Sequence, residues 1–279
     1  MRPLSFTLKI QPKFTLDLSP LTPDKLSGKT NSQIKRISLQ YGKQKISVED
    51  LFTVSGDDHV NIKFTKGSEN LLSVGRKMSH GTIEVNGNTG DFTGQYMQGG
   101  KLLIKGNAGA WVGNRMSNGR IEITGNVGDY LGAGLPGEPH GMSNGMIIIS
   151  GNAGDRVGDR LRRGYIIIRG KAGDYCGSRM VAGTIIVLDK IGKYPGFGMR
   201  RGTIIMAKRP THIPATFKNC GDLKMQFLRL LFKQLAELGK EYTFFNKYVP
   251  EAHRYAGDLS SNGKGELLIL QIMKTSTQR

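Results

Sequence analysis

Short runs with apolar side chains at alternate positions recur along the middle of the chain, and each predicts one β-strand with a single buried face. In Gly119–Thr124 (GRIEIT) the inward pair is Ile121 and Ile123. The equivalent pairs are Ile83/Val85, Leu102/Ile104, Ile147/Ile149, Ile166/Ile168, Ile185/Val187 and Ile204/Met206. Glycines punctuate these runs at a fixed step. Gly87, Gly106 and Gly125 stand 19 residues apart, and so do Gly151 and Gly170. From Gly125 to Gly151 the step is 26, an excess of seven that Leu135–Gly141 (LPGEPHG) supplies as a loop. With that loop set aside, Met142 joins the column Met78, Met97, Met116, Met180 and Met199, and Leu161 takes the remaining place. Seven copies result, spanning residues 68–207.

A unit this short cannot bury its own apolar face, so like units must stack and share a core. The expected fold is all-β: a right-handed parallel β-helix of about seven coils, roughly 30 Å long at about 4.8 Å per coil. Glycines mark the corners, where positive φ or close backbone approach excludes a Cβ. Asn88, Asn107, Asn126 and Asn152 share one position and predict a turn ladder; Asp91, Asp129, Asp155 and Asp174 share another and predict corner caps. Phe92, Trp111, Tyr130, Arg156, Tyr175 and Tyr194 form an aromatic column interrupted by one arginine.

The strand position between the inward pairs changes along the rod: Glu84, Leu103 and Glu122 give way to Ile148, Ile167, Ile186 and Ile205. A stripe of four outward isoleucines requires a cover, from this chain or from a partner. Residues 222–238 supply one, because Leu223, Phe227, Leu231, Leu235 and Leu238 follow helical spacing, with Leu228 and Phe232 as a second apolar edge. Asp222 is the expected N-cap and Gly239 the stop. Three segments follow: an N-terminal cap over 1–67 containing a strand at VNIKF, the repeat over 68–207, and a helix plus an extended arm over 208–279. The arm's GDLSSNGKGELLILQI ends in an apolar strand suited to docking on a neighbour.

Composition excludes several classes. The 39 glycines in 279 residues are about twice the usual share, yet they follow no Gly-X-Y period. Signal-peptide and membrane-spanning patterns are absent from the sequence, and two cysteines fit a reducing cytoplasm. The five histidines lack ligand spacing, so no metal site is expected; His140, in the seven-residue loop, is the one with a setting worth inspecting. GNAGDRVG lacks the Lys-Ser/Thr of a phosphate loop and opens no helix.

The net charge of +18 is concentrated. Residues 68–150 balance six basic against six acidic groups, whereas residues 151–207 carry eleven basic and four acidic. Stacking aligns Arg160 with Arg179, joined in kind by Arg115, and aligns Arg163 with Arg201. With Arg156, Arg162 and Arg200 these form a basic face suited to a linear polyanion or to acidic faces of sister subunits. No nucleic-acid-binding signature accompanies it.

The tandem GxxGxxxGxxMxxGxIxIxG coils resemble the GXGXG-repeat β-helix found in the large subunit of glutamate synthase and in the C subunit of formylmethanofuran dehydrogenase. LDLSPLTPDKLSG (16–28) and HRYAGDLSSNGKGELLI (253–269) are similar to the latter group, and the long insert before the second resembles its bacterial branch, the C subunit of the formyltransferase/hydrolase complex. The resemblance implies a non-catalytic structural subunit in one-carbon metabolism. It implies as partners a formyltransferase subunit, an amidohydrolase-like metal subunit and a further B-type subunit, moving a formyl group between tetrahydromethanopterin and a methanofuran-type cofactor and releasing formate. No catalytic residue is carried over. The chain itself is expected to bind no cofactor, but the polyglutamate tail of a methanofuran-type cofactor would suit the arginines. The alternatives are the C subunit of a true tungsten or molybdenum dehydrogenase, and a polyanion-binding β-helix module.

Overall fold

The structure is a computed structural model that describes residues 2–272, so residues 273–279 of the expected arm lie outside it. Its centre is a large, mostly parallel sheet. Thr82–Asn86, Lys101–Lys105, Arg120–Ile123, Met146–Ile149, Tyr165–Ile168, Thr184–Val187 and Thr203–Met206 are consecutive neighbours in it. Each pairs in parallel with the next, and like residues align: Ile121 with Leu102 and Ile147, Ile166 with Ile147 and Ile185. The step across the long interval keeps register, because Arg120 pairs with Lys101 on one side and Met146 on the other, leaving the seven extra residues to bulge. A second parallel column of single bridges runs through Ala108, Val127, Ala153, Ala172 and Ile191. The architecture is β-helix-like.

Both turn ladders are present. Each asparagine accepts at Oδ1 from a backbone N–H one unit on: Asn88 from Asn107 at 2.9 Å, and Asn107, Asn126 and Asn152 from Asn126, Asn152 and Lys171 at 2.8 Å each. The aspartates do the same, Asp91 from Ala110 and Asp174 from Lys193 at 2.7 Å, Asp129 from Asp155 and Asp155 from Asp174 at 2.8 Å. Corner amides that the strands leave unpaired are thus satisfied from unit to unit.

Positive φ is not confined to glycine. Phe92, Trp111, Tyr130, Arg156, Tyr175 and Tyr194 all have φ between 57° and 62°, and Tyr96, Arg115, Arg160 and Arg179 between 52° and 57°. Left-handed backbone costs a non-glycine residue about 1–2 kcal/mol. An amide bond to the following unit opposes that cost, as from Tyr130 to Asp155 O (2.8 Å) or Arg160 to Ser178 O (2.9 Å). The glycines between these columns have no such freedom to vary. Gly113 (φ +65°) lies under the next unit, where an added Cβ would sit 2.4 Å from Ile147 Cδ1.

The inward pairs and the methionine column fill one continuous core. A second core lies on the outer side, where Ile148, Ile167, Ile186 and Ile205 are covered by Leu228, Leu231, Phe232 and Leu235 of the helix Gln226–Ala236. This helix starts later than its periodicity predicts. Asp222 belongs to the strand Lys218–Lys224, Met225 is the N-cap, and Leu223 and Phe227 are 39% and 41% exposed. Both predicted edges contribute to the buried face through Leu228, Leu231, Phe232 and Leu235, and antiparallel pairing of residues 218–224 with Tyr248–Gly257 keeps Leu223 out of the helix. At the other end of the rod Glu84 and Glu122 keep the outer face polar, Glu84 bonded to Lys105 (2.8 Å) and Glu122 to Lys101 (2.8 Å).

The arm corrects another expectation. Gly265–Ile272 docks on its own chain, in parallel with Thr203–Met206 and antiparallel to Tyr248–Gly257. Leu267 and Ile269 extend the inner core, while Leu268 and Leu270 extend the outer one, so the open edge of the last unit is used internally. The N-terminal segment likewise continues the sheet: Asp58–Phe64, containing VNIKF, pairs with Thr82–Asn86 and places Ile62 and Phe64 beside Ile83 and Val85. Pro3–Leu8 and then Phe52–Ser55 close that edge.

Candidate functional site

The left-handed positions aim their side chains out of one edge of the rod, and the basic units place arginines there. Two cavities of about 610 and 320 Å³ lie along this edge and share Arg160 and Arg179. The smaller adds Trp111, Tyr130 and Arg156; the larger adds Phe197, Arg200 and the turn at Ser260–Ser261. The inserted loop walls both, Pro136 facing the smaller and Pro139 the larger. Lined from Trp111 to Arg200, the trough crosses five units, roughly 20 Å at about 4.8 Å each.

Two arginines are held in place. Arg179 grips the buried Asp159 (2% exposed) through Nε–Oδ1 at 2.9 Å and Nη2–Oδ2 at 2.5 Å. Ser178 Oγ donates to the same carboxylate at 2.7 Å, and Arg160 Nε stands 4.0 Å away. Arg160 Nη1 donates to the Glu138 carbonyl at 2.7 Å, tying the trough to the loop. Arg156 lies over the Tyr175 ring at 4.8 Å, and Trp111 stacks on Tyr130 at 4.1 Å with planes 5° apart. Arg162, Arg163 and Arg201 are exposed and line neither cavity. The structure therefore brings Arg156, Arg160, Arg179 and Arg200 together and leaves those three outside.

The loop is clipped by Glu138, whose carboxylate accepts from Tyr96 Oη (2.7 Å), Asn114 Nδ2 (2.9 Å) and Leu135 N (2.7 Å). Burial pushes the Glu138 carboxyl up, but these bonds and the Arg115 charge more than offset it and hold it below the usual carboxylate range. His140 has Nδ1 2.9 Å from Gly141 O and Nε2 3.5 Å from Arg115 Nη2. Sequence reasoning does not single out Asp159 or Glu138. The available signal is that Asp159 occupies a position filled by Gln95, Asn114 and Ser178 in other units, and that Glu138 is the one acid of the loop.

Chemically the trough presents guanidinium donors and aromatic ring faces. Asp159 spends its oxygens on Arg179 and Ser178, and Cys176 is buried with its thiol pushed up to about 12 by desolvation. No group of three or more His, Cys, Asp or Glu residues among the described residues is placed to hold a metal ion, and no helix among them is long and apolar enough to cross a membrane. Arg200, with Arg160 and Arg179 beside it, leaves the trough cationic, which suits carboxylate or phosphate groups.

The chain matches the GXGXG motif family over residues 56–228. The C subunit of the tungsten-containing formylmethanofuran dehydrogenase 2 is 35% identical over 99 residues in Methanothermobacter marburgensis and 34% in Methanothermobacter wolfeii. Those alignments cover 34% of this chain and 37% of each relative. A chain from the crystal structure of the formyltransferase/hydrolase complex FhcABCD of Methylorubrum extorquens, in complex with methylofuran, superposes with a TM-score of 0.88 at 33% identity. That likeness covers 95% of this chain and 98% of the other. The repeat, its register and the matching length together establish that the chain belongs to the GXGXG motif family, in the C-subunit group that includes the formylmethanofuran dehydrogenase chains.

Proposed function

We propose that the chain is the non-catalytic, structural C subunit of a formyltransferase/hydrolase-type complex in one-carbon metabolism. It is a right-handed β-helix of seven coils with an N-terminal cap (1–67), the repeat (68–207) and a C-terminal helix and arm (208–279). Its partners are a formyltransferase subunit, an amidohydrolase-like metal subunit and a B-type subunit. The observation that carries this reading is the near end-to-end likeness to a chain of FhcABCD. A rod offers sister subunits long, stiff faces.

The trough's role follows from its charge. The polyglutamate tail of a methanofuran-type cofactor is a linear polycarboxylate, and a cationic trough of about 20 Å would steer it between two active sites. Sister-subunit acids are the competing occupants. Affinity purification of the tagged chain from its native host tests the assignment: a formyltransferase and an amidohydrolase-type protein are recovered with it, and no pterin-metal protein is. Recovery of a tungsten- or molybdenum-pterin subunit would favour the second reading, the C subunit of a true dehydrogenase, which the Methanothermobacter relatives support. Arg156→Glu with Arg200→Glu leaves the Asp159 pair intact; unchanged cofactor retention and formyl transfer at low salt in the assembled complex would exclude tail steering.

A further inference from the structure

Away from the trough, a groove of about 380 Å³ opens between the C-terminal helix and the chain that follows it. Phe232, Phe245, Tyr248 and Pro250 line it, with Arg229 and Lys233 on the helix side. The aromatic floor packs on itself: Phe232 stacks on Phe245 with centroids 5.8 Å apart and tilts against Tyr248 at 5.7 Å. Leu230, 65% exposed and one helical turn from Lys233, adds an apolar shoulder.

The cations at this mouth differ from three near the outer strand face. Lys101, Lys105 and Arg254 each meet a glutamate within 3 Å, whereas neither Arg229 nor Lys233 has an ion pair among the described residues. An apolar floor beneath two cations that have no ion pair among the described residues is complementary to an apolar side chain flanked by carboxylates. The sequence of residues 273–279, MKTSTQR, carries Lys274 and Arg279 and no Asp or Glu, so it lacks the chemistry such an occupant needs. A second copy fits poorly too, since a chain of net charge +18 repels itself.

We propose that this groove is a docking site for an acidic segment of a partner protein, which seats one aliphatic or aromatic side chain against Phe232 and Tyr248 and pairs its carboxylates with Arg229 and Lys233. The proposal holds whichever reaction the complex performs.

A photo-crosslinking residue, p-benzoylphenylalanine, at the exposed Asn246 of the full-length chain in its native host tests it. The expected product joins the chain to one segment of another protein in which Asp or Glu flanks an apolar residue. Its yield should fall on the order of tenfold in R229E/K233E and return when the mapped acids are changed to lysine. Because both cations are exposed, the variant should keep the parent's circular dichroism melt. Cross-linking to a second copy or to an acid-poor segment overturns the proposal. So does a copurifying small amphiphile in the native mass spectrum, absence of a product, or a yield unmoved by charge reversal.

Discussion

Arg179 meets Asp159 with two parallel hydrogen bonds, 2.9 and 2.5 Å, while the carboxylate is buried and the guanidinium side chain is 45% exposed. The pair is asymmetric, and so is the effect of breaking it. Arg179→Ala strands a buried charge, with only Ser178 Oγ and the more distant Arg160 to compensate, and should cost about 3 kcal/mol. Asp159→Asn releases Arg179 into water and should cost about 1 kcal/mol. Urea unfolding of the two variants checks the order; equal losses would mean the carboxylate is not desolvated.

The helix offers a second comparison. Phe232→Ala removes a ring that is 3% exposed beside the isoleucine stripe and should cost about 3–5 kcal/mol. Phe227→Ala, on a ring that is 41% exposed, should cost no more than about 0.5 kcal/mol.

At the corner between two units, Gly113→Ala places a methyl group 2.4 Å from Ile147 Cδ1 on backbone with φ +65°. The expected loss is about 2–4 kcal/mol, from overpacking and left-handed strain. Ile147→Val removes that δ carbon and alone should cost about 1 kcal/mol. The double variant should be more stable than the summed losses, retaining only the strain component. Thermal melts of the four proteins measure the coupling.

Acid should loosen the inserted loop. Glu138 titrates below an unfolded carboxyl, so its contribution is complete above about pH 4.3 and is lost as pH falls through the lower folded value. The chain's single tryptophan, Trp111, stacks on Tyr130 beside the loop and reports the change. Its emission should shift as pH falls below about 4.3, and Glu138→Gln should show the shifted emission already at neutral pH with little further acid response.

Thiol titration gives the last prediction. Cys220 is half-buried and should react with Ellman's reagent in the native protein, whereas Cys176 should react only after unfolding, since burial raises its thiol to about 12.

Repetition made the rod legible. Ile121, Ile147 and Ile166 occupy the same place in successive units, so one correct strand assignment fixed the others, and the asparagine and aspartate columns followed from the same step. What repetition does not encode was harder to read. Asp222 has the chemistry of an N-cap, but pairing with His253, 31 residues away, decides that it lies in a strand. The aromatic column was legible but its left-handed backbone was not, because no residue-type rule places Trp111 or Tyr130 at positive φ; hydrogen bonds from their amides to the following unit hold them there. The trough was half legible: stacking aligned Arg160 with Arg179, but Glu138 and Asp159 acquire their meaning through contacts 42 and 20 residues distant.

The strand Gly265–Ile272, which completes both cores, comes later in the chain than every unit it closes. On the ribosome the earlier units can wind in order, yet their final rung and the sticky outer stripe must wait for this sequence to clear the exit tunnel. Folding from the front therefore stays unfinished until residue 272 has emerged, and a chain lacking residues from 265 onward would be a rod with one raw end.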